Sequence, residues 1–283
     1  MPPQRRPLHA HLHKLHGFRL KLNRAQVHAD ALNRDTAAWL ARHPYGIYGE
    51  YEPGPPEQYV FRVRFLEHVP PDWAITLGGF AHNARSALDH LAYLVVLENN
   101  GGNDEWTQFP ILYNPFDWER ECGRCIGNAS ARHKAIIESF QPYHRHDLWG
   151  WKSRYSAADD PLFILNCLSN IDKHRVLHAT PAAIRSIGWD VLPVRDVSRI
   201  GGSKVTYDSP LLDGSELIRV DVESDGPNPE VRLEREEHVE ISVQYRVEFR
   251  DSYMLPTVPL RETMEAILER VEEIFEVFVN EFR

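Results

Sequence analysis

The sequence predicts an α+β fold: a helical bundle with an inserted β-hairpin, then a C-terminal antiparallel sheet with a closing helix. Three patterns predict it. Apolar residues recur at three-and-four spacing through most of the first 180 positions. A strict period of two then runs through Val239, Ile241, Val243, Tyr245, Val247 and Phe249. The helical spacing returns at the end, in Leu260, Met264, Ile267, Val271, Ile274, Phe278 and Phe282. With 283 residues and 42% hydrophobic content, the chain has material for a real core, which excludes wholesale disorder.

The elements follow in order. Leu8, Leu12, Leu15, Leu22, Ala25, Ala29, Leu32 and Trp39 predict one helix over 8–42, with Gly17 weakening its start. Strands are predicted at 46–52 and 58–67, where Tyr59, Phe61, Val63 and Phe65 alternate. Pro53-Gly54-Pro55-Pro56 makes the turn between them. Pro70-Pro71-Asp72 opens a helix over 72–98, and Asn99-Asn100-Gly101-Gly102 stops it. Residues 103–115 read as irregular. A helical region over 116–140 breaks near Gly127, and 141–160 is an aromatic-rich loop. Asp159-Asp160-Pro161 starts a helix running to about 179, ahead of Pro181. Residues 187–250 read mostly as strand, with 216–224 expected to pair with the 239–249 run. The closing stripe packs back on the bundle or dimerises. These elements divide into 1–183, a bundle with its hairpin at about 46–67, and 184–283, the β region and final helix.

The net charge of −9 is uneven. Residues 1–215 hold 24 basic and 23 acidic side chains, whereas 216–283 hold 8 and 18. The balanced part also carries 14 of the 15 histidines. A broadly basic grip on nucleic acid is therefore excluded, while a small local site is not. Cys122, Cys125 and Cys167 form no disulfide framework. The N-terminal stretch has no apolar core of a signal peptide, and no run is long enough for a bilayer. A cytoplasmic protein with no membrane partner is expected.

Chemistry concentrates on two helices. In 72–98, His82, Arg85, Ser86, Asp89 and Tyr93 share the side opposite the apolar face, with His90 at its edge. Neither Lys nor Glu occurs from Gly78 to Leu97, so this is not the usual solvated surface. Three readings stay open: a plain solvated face, a buried polar network and a functional site. Arg85 and Asp89 are i,i+4 neighbours and suit a salt bridge. Arg85 and His90 point about 140° apart on an ideal helix. In 161–179, apolar residues surround the helix, yet Asn166, Asn170 and Lys173 fall on one line with His174 beside it. Lys173 and Arg175 also suit a helix C-terminus, where cations are favoured.

Together these stretches resemble an uncharacterised bacterial family with the motifs HNxRSALDHL and NxDKHR. The matching residues are Gly78, His82, Asn83, Arg85 to Leu91, then Asn170, Asp172, Lys173, His174 and Arg175. Phe109-Pro110-Ile111 and Gln141-Pro142-Tyr143 are similar as well. A wider resemblance is to HEPN domains, helical bundles that include metal-independent ribonucleases, whose motif is an Arg four to six residues before a His. Arg85 and His90 fit that spacing. The resemblance implies that His90 serves as general acid or base on RNA and that Arg85 stabilises the phosphoryl charge. His82, Asn83, Asp89, Asn170, Asp172, Lys173 and His174 would support them. One motif per chain would imply a homodimer.

Other constellations compete. Non-catalytic binding or structure is the alternative in which the same residues form a buried network. A metal-dependent hydrolase would use His82, Asp89, His90 and His174. No metal or other cofactor is expected for the leading reading. Cys122-Gly123-Arg124-Cys125 lacks the second pair of a zinc ribbon and reads as ordinary helix cysteines. Gly201-Gly202-Ser203-Lys204 lacks the spacing of a phosphate-binding loop. Arg145, Trp149, Trp151, Lys152 and Arg154 mix cations with aromatics, a pattern that suits contact with a phosphate backbone and stacked bases and equally suits aromatics pinning a long loop to the body.

Overall fold

Two antiparallel helices form the spine of the molecule. The computed structural model describes residues 15–99, 106–144, 157–174, 179–184, 189–205, 212–235, 239–244, 247–248, 253–254 and 257–282. Within them α1 (His16–Leu40) lies along α2 (Asp72–Glu98). Phe18, Leu22, Ala25, Ala29, Leu32 and Trp39 of α1 are buried in the same core as Leu77, Phe80, Ala84, Leu88 and Leu91 of α2. Trp39 meets Trp73 edge-on at 5.7 Å near the far end of the pair. Glycine allows close approach at two points. A Cβ on Gly17 would lie 2.7 Å from His90 Nδ1, and one on Gly79 would lie 2.9 Å from His28 Cε1. Each helix therefore lays a histidine across the other's glycine, which fixes the register of the pair. Gly17 sits in the first turn of α1, where a Cβ would displace the His90 ring, although its helix propensity is poor.

The remaining helices close around this pair. They are α3 (Trp118–Ile126), α4 (Ala131–Ser139), α5 (Pro161–His174) and α6 (Leu260–Glu281). The break near Gly127 separates α3 from α4, and Ser130 caps α4 by accepting from His133 N at 3.1 Å. Asp160 Oδ1 accepts from Leu162 N at 2.8 Å to start α5. On α6, all seven stripe residues from Leu260 to Phe282 are buried in the chain's own core. Phe275 stacks on Phe18 at 4.9 Å, and Arg19 pairs with Glu272 beside them.

The hairpin of β1 (Tyr45–Glu52) and β2 (Gln58–Phe65) does not stand alone. With β5 (Val197–Val205) and β6 (Glu216–Ser224) it forms one antiparallel sheet in the order β1-β2-β6-β5. Tyr59, Phe61, Val63, Leu217, Val220 and Val222 make a second core on that sheet. On it Arg219 links Glu52, Gln58 and Glu216 across three strands. Further pairings join β3 (Ala179–Ile184), β8 (Val239–Gln244) and β11 (Thr257–Pro259), then β4 (Trp189–Arg195) with β7 (Glu230–Arg235), and β9 (Val247–Glu248) with β10 (Tyr253–Met254).

Two expectations need correction. Residues 216–224 pair with β2 and β5, not with the 239–249 run, because alternation decides which face is buried but not the neighbour. Residue 179 begins a strand rather than ending a helix. Pro181 is tolerated there because β3 lies at the edge of its sheet. Of the helix predicted over 8–42, positions 8–14 lie outside the described residues, and the described part is helical over His16–Leu40. Both cores draw on the two predicted regions: the main one includes Ile241 and Val243, and the second joins the hairpin to β6.

His133 ties α4 to α6. Its ring packs against Phe278 at 5.8 Å and Phe282 at 5.6 Å. Burial pushes its pKa below the ordinary imidazole value, outweighing the nearby Glu281 and Glu98 carboxylates. The unfolded chain therefore takes up this proton more readily than the folded one. The stability that His133 contributes is present above pH 6.5 and is lost as the pH falls through its folded pKa. Melting curves at pH 7 and pH 5 should show a larger fall in Tm for wild type than for His133→Leu; equal falls would rule the coupling out.

Candidate functional site

The polar residues of α2 leave the helix in three directions. Arg85 and Asp89 point toward the irregular segment 107–112. Gly79, Asn83, Ser86 and His90 follow each other at i, i+4, i+7 and i+11, and their stripe borders α1, as the Gly79–His28 and His90–Gly17 contacts show. His82 is exposed to solvent.

Segment 107–112 has no helix or ladder of its own, yet Phe109 is fully buried. Its main-chain groups therefore need side-chain partners. Arg85, only 7% exposed, donates from Nη2 to Phe109 O, and Asp89 Oδ1 accepts from Phe109 N at 2.9 Å. The two side chains also pair with each other at 3.1 Å. Gln141 completes the set. Its Nε2 donates to Pro110 O at 2.9 Å and to Ile137 O at 3.1 Å, while its Oε1 accepts from Leu112 N at 2.9 Å. Three side chains thus satisfy four main-chain groups of a buried loop.

Behind this clamp lies a cavity of about 210 Å³. Arg85, Gln108, Arg124, Cys125, Asn166 and Asn170 line it, together with the main chain of the loop. Arg85 Nη1 reaches Asn166 Oδ1 at 3.5 Å, the outer limit of a hydrogen bond. Gln108 Nε2 donates to Cys125 Sγ at 3.5 Å. Arg124 is paired with Glu121 at 2.5 Å, and that pairing lowers the Glu121 pKa. The cations on the wall are therefore matched by Asp89 and Glu121.

The residues singled out from the sequence separate as follows. Arg85 and Asn170 meet at the cavity, with Asp89 behind Arg85. Asn83 donates to Gly79 O at 2.7 Å within its own helix. His90 lies over Gly17 on the α1 side and is not among the cavity residues. Asp172, Lys173 and His174 form the last turn of α5, but their side chains fall outside the described part. Arg145, Trp149, Trp151, Lys152 and Arg154 lie outside the described residues altogether. Among the described residues no three His, Cys, Asp or Glu side chains are placed to hold a metal ion. His82, Asp89 and His90 take the three different directions given above. Cys122 and Cys125 are buried free thiols, and burial pushes the Cys167 thiol up to about 12.

Sequence reasoning missed Gln108, Glu121 and Arg124 as lining and Gln141 as a clamp. For Gln141 a signal existed. A glutamine just past a helix and directly before proline, in a chain with an apolar Phe-Pro-Ile run outside any predicted helix or strand, suggests a side chain serving a backbone.

No family model, curated protein or solved structure matches the chain. No helix among the described residues is long and apolar enough to cross a membrane.

Gln141→Ala removes the side-chain partners of Pro110 O, which is buried, and of Leu112 N, which is partly buried. Urea unfolding should show a loss of about 2–3 kcal/mol, one stranded buried group plus a partly buried one. Asn166→Ala should cost under about 1 kcal/mol, because its bond to Arg85 is long. Comparable losses in both variants would contradict the clamp.

Proposed function

We propose that the chain is a non-catalytic binding module whose site is the cavity beside Arg85. One observation carries this reading: a nearly buried guanidinium, held fast by Asp89 and Phe109 O, turns its Nη1 edge toward Asn166 in a polar cavity. A side chain so fixed loses little conformational freedom when a ligand arrives, which favours recognition. The volume of about 210 Å³ is below the roughly 300–1,000 Å³ of drug-sized sites, so the ligand is small. The wall cations are already balanced by carboxylates, which favours a neutral or singly charged molecule over a polyphosphate. Its oxygens would accept from Arg85, and Asn166 and Asn170 would supply donors or acceptors as needed.

The ribonuclease reading needs Arg85 and His90 on one phosphodiester. The Arg85 side chain is committed to Asp89 and the 107–112 loop, and His90 borders α1, so the geometry supports that reading less well. RNA as substrate and a shared site in a homodimer belong to that reading and need the same observation.

Two measurements test the choice. A thermal-shift screen of small carboxylates and amides should give stabilising ligands whose effect is lost in Asn170→Leu. Incubation with RNA, with and without chelator, should give no cleavage that depends on His90. Cleavage that survives chelator and disappears in His90→Ala would overturn the binding reading and restore the enzymatic one.

A further inference from the structure

The seam between α1 and α2 carries a second arrangement that the cavity does not use. The stripe Gly17, Lys21, Arg24, His28 on α1 faces the stripe His90, Ser86, Asn83, Gly79 on α2, pair by pair, because the Gly17–His90 and Gly79–His28 contacts pin both ends. Eleven residues on each helix separate these ends, about 16 Å of seam. Arg24 and His90 are exposed, and Lys21, His28, Asn83 and Ser86 are half-buried, so the seam opens to solvent. No carboxylate stands on either stripe between its ends. The next ones along the stripes, Asp35 and Asp72, lie seven residues beyond His28 and Gly79, about 10 Å away.

A protein with a net charge of −9 thus leaves two cations and two imidazoles in one line without an acid among them. The groups also feel one another. Burial first, and the charge of Arg24 second, hold the His28 imidazole below its ordinary pKa. Lys21 and Arg24, like charges at i,i+3, repel each other, and an anion seated between them relieves that repulsion. Asn83 and Ser86 stand opposite Arg24 and Lys21, so neutral groups alternate with charged ones across the seam. The Asn83 Nδ2 is engaged with Gly79 O, which fixes that side chain's orientation.

We infer that the α1–α2 seam binds a small phosphate-bearing anion, its oxygens bridging Lys21 and Arg24 between the two histidine-covered ends of the seam. The site is independent of the cavity at Arg85, whose side chain leaves α2 on another side. Its charge excess also separates it from that cavity, where each arginine has a carboxylate partner.

Calorimetric titration of the full chain with sodium tripolyphosphate at low ionic strength tests the inference. Saturable binding is expected, weakening as salt rises. The double variant Lys21→Glu/Arg24→Glu should lose at least ten-fold in affinity, and the neutral version Lys21→Gln/Arg24→Gln should lose less. Arg34→Glu, exposed on α1 but off the stripe, should stay within two-fold of wild type. Melting temperatures of all variants check that the fold is kept, Arg24 and Arg34 being exposed and Lys21 half-buried; the affinity comparison is made among variants that melt within a few degrees of wild type. A parallel titration with ATP distinguishes a free phosphate chain from phosphate carried on an organic group, and either supports the seam. Three outcomes overturn it: no saturable heat with either probe, an equal loss for Arg34→Glu, or binding of RNA through Lys21 and Arg24 when neither phosphate probe binds.

Discussion

A buried stretch of chain without a ladder must find hydrogen bonds elsewhere, and that constraint organises the helical part of this protein. Segment 107–112 crosses the interior with Phe109 wholly enclosed. Arg85 and Asp89 of α2 take its donor and acceptor at Phe109, and Gln141 takes those on either side of Ile111. The ion pair is therefore less a contact between two charges than a template for a backbone. An Arg without Asp89 would be a buried charge facing a carbonyl. An Asp without Arg85 would face an amide with its charge unbalanced. Arg85, almost fully buried, needs the carboxylate most, while Asp89 keeps about a third of its side chain in contact with solvent.

The same clamp shapes the cavity behind it. By holding Nη2 on Phe109 O, it turns the other edge of the guanidinium toward Asn166, and α3 and α5 supply the facing walls. A structural role and a binding role are then not rivals for Arg85. The structural bonds supply the rigidity that recognition requires. The price is that Arg85 is not available to swing toward His90, which the α1–α2 seam holds elsewhere.

That seam obeys a different rule. Two helices approach closely where glycine removes the Cβ, and here each gap is covered by an imidazole from the opposite helix. The reciprocity fixes the register of α1 against α2 and thereby lines up Lys21 and Arg24 with Ser86 and Asn83. In the sequence His28 and Gly17 had looked unremarkable, one an isolated histidine and the other a weak point in a helix. Their meaning depends on partners more than fifty residues away.

Local pattern was enough to determine most elements. The three-and-four spacing of Leu22, Ala25, Ala29 and Leu32, the proline turn at 53–56, and the Asp160-Pro161 start each act over a few residues, so the α+β class followed from them. The strongest polar stripe was also visible, because a helix free of Lys and Glu from Gly78 to Leu97 stands out by composition. The directions taken by its members were not. Arg85, Asn83 and His90 lie within about two turns of one helix, and only the packing of 107–112 on one side and α1 on the other assigns each to its place. Strand partnership was equally hidden: β6 alternates as any half-buried strand does, and its choice of β2 over β8 is a matter of tertiary contact. Periodicity is a property of neighbours in the chain, so the sequence determines it alone. Pairing across the fold is decided by which buried surfaces and backbone groups remain to be satisfied, and that is settled only when the chain has closed.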